Sequence, residues 1–560
     1  MAQKEKALAT IDYICCVLLG FAIAAADQYI EKSQCDFNLS YFLTALATFA
    51  SLLVATFLFR KFLQSMRWNL KLKPSNKLNQ FFQIVFNCRH PVLATSCIIL
   101  ICWSVPIAFL YPGTLVNDTW GQLQQFITYA QNPTGSENPL SDHHPLFDTF
   151  VIGAFITPIA KTTGLWHLMF FIYVIVQAIC TSLTFSCVVN YAYKKLNLEI
   201  LPCFFLLSMF CILQIYPVSI QNISKDSFHS WLFVLYSLFF CELVRTNCRV
   251  IKSKKFIIAF TIIAITCCLT KKVGFYVVIF TLVFAIIFLK GNKNKKLILI
   301  PFVSSVIVML LVMPMIMHIT HTTPGEKKEM LSLPFQMSAR YVKEHAEEVT
   351  DEEYKVIDQL LNIDTLADRY NPTYADPVKN ETNSIGVQGY LDYGKVWITQ
   401  GLKHPETYAA ALNCMISGWF SWSEYSPLMD SSWHSQLDPD LIPENASERD
   451  ISATTAQSYS DTIHNLYNNS ILRLFHAYVF WATFIPAFII CTVFRRQARK
   501  TLVKNWLAIL PSLFALIFGC WLAPVSSASV DGCRYLFPLT FTAPLLIAWC
   551  LFVYKNNQEI

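Results

Sequence analysis

The chain has 560 residues, of which 54% are apolar and only 14% are charged, against about 25% charged residues in an average soluble domain. This balance excludes a disordered chain, and the net charge of +6 has meaning only through its distribution along the sequence. Apolar runs of about 20 residues recur, and each is long enough to cross a hydrocarbon core of about 30 Å. The sequence therefore predicts an all-α polytopic membrane protein.

The apolar runs predict twelve spanning helices. They cover residues 10–30, 40–60, 91–111, 165–192, 198–218, 228–246, 256–270, 273–290, 297–318, 472–494, 503–523 and 535–554. One further apolar stretch, 146–163, contains a proline and a lysine. We expect this stretch to form an interfacial or re-entrant helix rather than a span.

The basic residues predict the orientation of the chain in the membrane. Segment 61–90 contains lysines and arginines but no acidic residue, and later loops on the same predicted side are also basic. Cytoplasmic loops of membrane proteins carry an excess of Lys and Arg. We therefore expect a multi-pass protein of the cell membrane with both termini in the cytoplasm. A span at 146–163 would reverse all later loops, which favours the interfacial interpretation.

This topology divides the chain into three parts. Residues 1–318 form an N-terminal transmembrane module that includes a first extracytoplasmic loop, 112–163. Residues 319–470 form an extracytoplasmic insert that holds most of the acidic residues, and residues 471–560 contain the C-terminal transmembrane helices. Helical periodicity over 334–360 predicts that the insert is mainly helical.

The first loop places four ionisable residues next to apolar segments: Asp118, Asp142, His143 and His144. Ionisable groups at the membrane face are costly and mark functional sites. A half-buried carboxylate can act as a general base, so we predict this role for Asp118, with Asp142 in reserve. An N-cap before Thr119 remains the alternative for Asp118. The histidines fit phosphate binding, surface hydrogen bonding, or a divalent metal ion held by Asp118 and His143.

Further polar residues interrupt apolar segments on the same predicted side of the membrane: Lys225, Asp226, Lys271, Lys272, Arg534 and Tyr535. Cations on the non-cytoplasmic side run against the usual charge distribution. An anionic ligand such as a lipid phosphate would explain them, and Arg suits bidentate phosphate binding. Lys225 and Arg534 are predicted to approach each other. The alternative is a local Lys225–Asp226 pair with lysines that extend towards the aqueous phase.

Taken together, these stretches resemble the GT-C membrane glycosyltransferases. The segments YPGTLVNDTWGQ, SDHHPLF, LSLPFQMSARYVKEH and RYNPTYADPVKN are similar to those of a group of such proteins in Gram-positive bacteria. Protein O-mannosyltransferases and aminoarabinose transferases share the broader plan. The resemblance implies a GT-C-like fold, a polyprenyl-phosphate-linked sugar as donor, and a first-loop acid, here Asp118, as base or metal ligand. Asn117-Asp118 replaces the usual pair of acids, and Leu146 replaces the second proline of an HPP motif.

The leading hypothesis is therefore the transfer of a sugar to a cell-envelope glycan or protein, within a membrane lipid environment and with no nucleic-acid partner. Asp118 would deprotonate or orient the acceptor hydroxyl, while Lys225, Arg534 and Lys271 hold the leaving phosphate. Two alternatives remain open. One is a transporter or flippase for a lipid-linked or anionic solute, and the other is a non-catalytic assembly protein of the envelope.

Overall fold

The computed structural model describes residues 2–68, 76–133, 140–289, 293–325, 327–425, 452–494, 499–522, 527–528 and 532–556. Within these ranges the regular structure consists of twenty-four α-helices, short 3-10 and π turns, and one pair of two-residue strands. The expected all-α fold class is confirmed.

The first six helices belong to the predicted N-terminal module and its first loop. They are α1 (Ala2–Lys32), α2 (Leu39–Trp68), α3 (Lys77–Asn87), α4 (Pro91–Phe109), α5 (Asn117–Gln131) and α6 (Leu146–Thr163). A proline opens α4, where its missing N–H removes a donor that has no partner inside the helix.

Eight helices follow before the insert. They are α7 (Trp166–Lys194), α8 (Ile200–Ile212), α9 (Ile215–Gln221), α10 (Lys225–Arg245), α11 (Lys254–Thr270), α12 (Lys272–Phe288), α13 (Leu299–Ile307) and α14 (Met313–Ile319). Ser224 caps α10, because its hydroxyl accepts a hydrogen bond from the Ser227 N–H, which has no partner inside the helix.

A break of two residues separates α8 from α9, whose axes differ by 46°. The break frees backbone groups that a continuous helix would pair. Tyr467 pairs with two of these backbone groups. Its hydroxyl accepts a hydrogen bond from the Gln214 N–H at 3.0 Å and donates to the Ile212 carbonyl at 3.3 Å.

The remaining helices form the insert and the C-terminal part of the bundle. They are α15 (Ser332–Glu344), α16 (Asp351–Leu361), α17 (Ile363–Arg369), α18 (Asp376–Lys379), α19 (Val387–Lys403), α20 (Pro405–Ile416), α21 (Ser452–Asn468), α22 (Ile485–Val493), α23 (Arg499–Leu516) and α24 (Cys533–Asn556). The predicted helical stretch 334–360 is two helices, because Thr350 and Glu353 form a capping box that starts α16.

Eight helices in the described ranges are long and apolar enough to cross a membrane. They are Asp12–Lys32, Leu39–Leu58, Pro91–Phe109, Trp166–Lys194, Lys225–Arg245, Asn294–Ile319, Leu502–Trp521 and Cys533–Lys555. They coincide with eight of the twelve predicted spans and make the protein a multi-pass membrane protein.

The other four predicted spans correspond to less regular elements. The span 198–218 is the bent pair α8 and α9, and 256–270 and 273–290 are the shorter helices α11 and α12. The span 472–494 contains a shorter apolar helix, Phe480–Val493. The stretch 146–163 forms α6, which is not one of the eight long apolar helices. The total of twelve spans and the sidedness of the loops stay predictions.

Helix α10 lies at the centre of the bundle, where it packs against α7, α11, α23 and α24. The ion pairs described below bring the start of α10, the junction of α11 with α12 and the start of α24 together. We call this the site end of the bundle. The far ends of these helices carry Arg245, Lys254 and Lys555. Arg245 and Lys254, two of the basic residues behind the predicted orientation, therefore lie opposite the site.

A short parallel strand pair fastens the first loop to the segment before α10. Strand β1 (Thr114–Leu115) pairs with β2 (Asn222–Ile223). Gly113 precedes β1 with φ +112°, and a Cβ there would lie 2.7 Å from the Val174 side chain. Only glycine combines this backbone conformation with so close an approach.

The insert has its own apolar core and contacts the bundle. Phe335, Ile357, Leu366 and Tyr393 are part of this core. The Arg340 side chain donates a hydrogen bond to the carbonyl of Ser33, after α1, at 2.9 Å. The start of the insert also pairs with the first loop, since the Asp142 N–H donates to the Thr323 carbonyl at 2.9 Å.

Candidate functional site

Asp118 lies at the centre of a charged cluster at the site end. Its Oδ2 atom accepts hydrogen bonds from the ammonium of Lys225 at 2.7 Å and from Nη1 of Arg534 at 3.2 Å. The exposed side-chain fractions are 28% for Asp118, 17% for Lys225 and 15% for Arg534. Asp118 and Arg534, which are 416 positions apart in the sequence, thus contact each other, and Lys225 and Arg534 lie close together as predicted.

The N-cap alternative for Asp118 is wrong. Helix α5 begins at Asn117, its N-cap is Val116, and Asp118 lies inside the first turn. An acidic residue there still interacts favourably with the helix dipole, but its hydrogen bonds go to two cations from other helices.

His144 completes this inner group. Its Nδ1 lies 2.7 Å from the Lys225 ammonium, and its Nε2 lies 3.9 Å from Oδ1 of Asp118. Burial and the neighbouring charge of Lys225 lower the pKa of His144 to about 3. The imidazole is therefore neutral at physiological pH, and Nδ1 accepts the hydrogen bond from Lys225.

The neighbouring cations decide the protonation of Asp118. Burial alone would raise the pKa of this carboxyl, but the positive charges of Lys225 and Arg534 hold the pKa well below its ordinary range. In this arrangement Asp118 is a carboxylate at all physiological pH values and a weak base.

A second ion pair lies deeper, between Asp226 and Lys271, with 2.6 Å between Oδ1 and Nζ. Only 7% of the Asp226 side chain and 12% of the Lys271 side chain are exposed. The Lys271 ammonium also lies 5.4 Å from the ring centre of Tyr535, within cation–π range. The proposed local Lys225–Asp226 pair is wrong, because each of these two residues pairs with a different helix.

The outer rim of the cluster is more exposed. The Lys272 ammonium contacts the Asp142 carboxylate at 3.2 Å, and half of the Lys272 side chain is exposed. Lys272 also contacts the Asp142 carbonyl. His143 faces Glu329 of the insert, with 4.0 Å between Nδ1 and Oε1.

The residues proposed for a metal site do not fit a divalent ion in this arrangement. Asp118 is bound by two cations, which would repel a third positive charge. His143 faces a different carboxylate. We therefore assign no chemistry at this cluster to a metal.

Sequence reasoning missed one residue of the cluster, Asp148 in the first turn of α6. Its side chain is fully buried, and neither carboxyl oxygen has a hydrogen-bond partner among the described residues. Burial raises the pKa of Asp148 well above its ordinary value, against the lowering effect of Lys225. The signal was present in the sequence as an acid inside the apolar stretch 146–163.

A comparison with protein families gives a match over nearly the whole chain. The model of a family described as a family of unknown function (DUF6020) matches residues 3–559. The chain belongs to this family. Neither the curated proteins nor the solved structures contain a match.

In this DUF6020 chain the match includes every residue of the charged cluster, from Asp118 to Tyr535. The first loop, the bundle and the insert therefore belong to one family unit. The site is built from segments that are far apart in the sequence, since α5, α10 and α24 each supply one residue of its central group.

The backbone around the cluster of the DUF6020 chain is held by hydrogen bonds from polar side chains. The Thr119 hydroxyl donates to the Ile223 carbonyl at 2.5 Å, which joins α5 to β2. The Gln177 amide of α7 donates to the carbonyls of Ile220 and Asn222. These contacts fix the starts of α5 and α10 relative to each other, and with them the distance between Asp118 and Lys225.

Two cations that share one carboxylate oxygen form a natural site for a larger anion. A phosphate has more acceptor oxygens than a carboxylate, and Lys and Arg are its usual protein partners. In the DUF6020 chain, an incoming phosphate can therefore compete with Asp118 for Lys225 and Arg534.

Proposed function

We propose that the protein is an integral membrane glycosyltransferase. It moves a sugar from a polyprenyl-phosphate donor to a hydroxyl group of an extracytoplasmic envelope acceptor. The observation that carries the proposal is the convergence of Lys225 and Arg534 on one oxygen of Asp118 at the ends of membrane helices. The resemblance of the first loop to GT-C enzymes adds the class of donor.

The position of the cluster suits a lipid donor. Its members lie where apolar helices begin or end, so a phosphate at the membrane surface would reach them while its hydrocarbon chain stays in the bilayer. Charged groups so close to the apolar phase are costly unless they serve a function. The basic far ends of the same helices support a site on the extracytoplasmic side.

The resting ion pairs explain how Asp118 could be switched between two states. While Lys225 and Arg534 contact Asp118, its pKa is low and it accepts a proton poorly. When both cations turn to the donor phosphate, the carboxylate loses its main stabilising charges and its pKa rises. The donor would thereby activate the base that acts on the acceptor.

In the transfer step the acceptor oxygen forms a bond to the anomeric carbon of the sugar, and the bond from that carbon to the phosphate oxygen breaks. The bonding electron pair leaves with the phosphate, whose charge Lys225 and Arg534 stabilise. Asp118 takes the proton of the acceptor hydroxyl. Attack from the face opposite to the phosphate inverts the configuration at the anomeric carbon.

The test is mass spectrometry of cell-envelope glycans with wild-type protein, without the protein, and with Asp118→Asn at matched protein levels. Asn is close in size but carries no charge, and loss of a general base lowers rates by about 10²–10⁴-fold. We expect the glycan to be lost in the deletion and nearly lost in Asp118→Asn. The control is Asp392→Asn on α19, where an exposed carboxylate pairs with Lys395.

Two results would contradict the proposal. Full glycan levels with Asp118→Asn would show that the carboxylate charge is dispensable. Unchanged glycans in the deletion, together with movement of a sugar-linked lipid across the membrane, would favour the transporter hypothesis.

A further inference from the structure

Two histidines of the insert that take no part in the charged cluster meet at helix junctions. His345 follows the last residue of α15, and His404 joins α19 to α20. Their rings are stacked, with 3.7 Å between centroids and 16° between planes. About one fifth of each side chain is exposed (20% and 21%), so both rings are open to solvent at one edge.

Two carboxylates surround this pair. Glu348 contacts both rings: one oxygen lies 3.5 Å from Nδ1 of His345 and the other 2.9 Å from Nε2 of His404. Glu406 lies 2.8 Å from Nδ1 of His404. Four potential ligands from two separate segments, 345–348 and 404–406, are thus gathered in one place.

A hydrogen-bonded chain fixes the proton on His345. The Thr407 hydroxyl donates to Oε2 of Glu344 at 3.0 Å, so it has no proton left for His345. Nε2 of His345, 3.0 Å from the same hydroxyl oxygen, must therefore be the donor. Nδ1 of His345 faces Oε1 of Glu348 at 3.5 Å and is the ring nitrogen left to bind an ion. Such an outer partner on the second ring nitrogen is the usual companion of a metal-bound histidine.

We propose that His345 and His404, with Glu348 and Glu406, bind a divalent transition-metal ion of the Zn²⁺ class. Two imidazoles and one or two carboxylates are a common ligand set for zinc. One ligand atom each from His345, His404 and Glu406 lie within 4.8 Å of one another. An ion at their centre would lie at most about 2.8 Å from each atom, against about 2.0–2.2 Å in zinc sites.

Binding therefore requires a small contraction, and the two rings must tilt out of their stack so that one lone pair of each ring points to the ion. The two ring nitrogens of His404 lie 2.9 and 2.8 Å from carboxylate oxygens, so His404 must also release a proton when the ion binds. The location allows this movement. Both histidines lie at helix ends, and the Glu348 and Glu406 side chains are 53% and 68% exposed. The ion would connect α15, α19 and α20, and would stabilise the insert because it binds the folded state.

The experiment uses the full-length protein in detergent or nanodiscs, treated with a chelator and then titrated with Zn²⁺. We expect one ion per chain and a rise in the melting temperature. Co²⁺ should give the visible absorption bands of a nitrogen- and oxygen-bound ion. His404→Gln and His345→Gln should each weaken Zn²⁺ binding at least about tenfold and remove the thermal shift. His464→Gln, on α21, is the matched control and should bind as wild type.

Glu348→Gln keeps the experiment decisive if a histidine variant fails to fold, because Glu348 lies at the surface. It should weaken binding and leave the fold intact. Absence of stoichiometric Zn²⁺ binding, or equal binding by wild type and His404→Gln, would overturn the proposal. Because the readouts are metal content and thermal stability, this result is independent of the glycan assay for the charged cluster.

Discussion

One ion pair at the site end and one in the insert use the same chemistry in different surroundings. At the site end, Asp226 and Lys271 are 7% and 12% exposed, and they join α10 to the junction of α11 and α12. In the insert, Asp392 and Lys395 lie on one helix and are 38% and 72% exposed. One pair is enclosed among apolar helices, and the other is in contact with water.

This difference in burial changes how an ion pair contributes to the stability of the fold. Exposed pairs contribute little because water solvates both charges almost as well as the partner does. Buried pairs carry a desolvation cost that attraction only partly offsets, so their presence is weak evidence for stability. The enclosed pairs at the site end are therefore better explained by a function than by a contribution to folding.

The largest expected effect comes from removing one partner of the enclosed pair. Asp226→Asn leaves the Lys271 ammonium without its carboxylate in a place that water barely reaches. We expect a loss of about 3–5 kcal/mol in the free energy of unfolding. Thermal or denaturant unfolding in a fixed detergent measures it.

The double variant Asp226→Asn/Lys271→Met supplies the control for this prediction. Removing both charges should restore part of the lost stability, since no charge is left unpaired. Wild-type stability of the single variant would mean that the two regions do not differ in the way described.

An intermediate effect, dependent on pH, is expected at Asp148. The pKa of Asp148 is raised in the native state, whereas a carboxyl group of the unfolded chain titrates at about 3.9. Between these values the native state holds a proton that the unfolded state releases, so stability falls as pH rises, by up to about 1.4 kcal/mol per pH unit. Asp148→Asn removes this dependence. The variant should melt like wild type near pH 4 and at a higher temperature at pH 7.5; parallel pH curves would contradict the prediction.

The smallest effect is expected in the insert. Asp392→Asn breaks an exposed pair on one helix, and of the three single variants it should change the free energy of unfolding least. The change should shrink further in high salt, because ions screen exposed charges. A loss as large as that of Asp226→Asn would erase the contrast between the two regions.

The sequence predicted the long apolar helices because a helix that crosses the bilayer needs about 20 consecutive apolar residues, and runs of this length are easily recognised. It predicted the irregular ones less well. The break between α8 and α9 has a local signal in Pro217, which lacks the N–H that would bond to the Leu213 carbonyl in a continuous helix. The hydrogen bonds that Tyr467 makes there come from a distant segment, and no local pattern predicts them.

The candidate site likewise depends on contacts between distant segments, which local sequence patterns do not predict. Asp118, Lys225 and Arg534 were found one by one, because charges beside apolar runs are unusual. The approach of Lys225 to Arg534 was predicted, but their shared contact with Asp118 was not. The predicted Lys225–Asp226 pair was wrong, because adjacent residues point in directions about 100° apart on a helix. The contact between Glu348 and His404, 56 positions apart, likewise arises only when the insert folds.

The break between α8 and α9 also has a consequence for the order of synthesis. Tyr467 is 253 positions beyond Gln214. At about 5–20 residues per second, the ribosome needs about 13–50 s to cover that distance. During this interval the peptide groups at the bend must pair with water or with another part of the nascent chain. The bent segment can therefore reach its final arrangement only late in biogenesis, after the entire insert has been made.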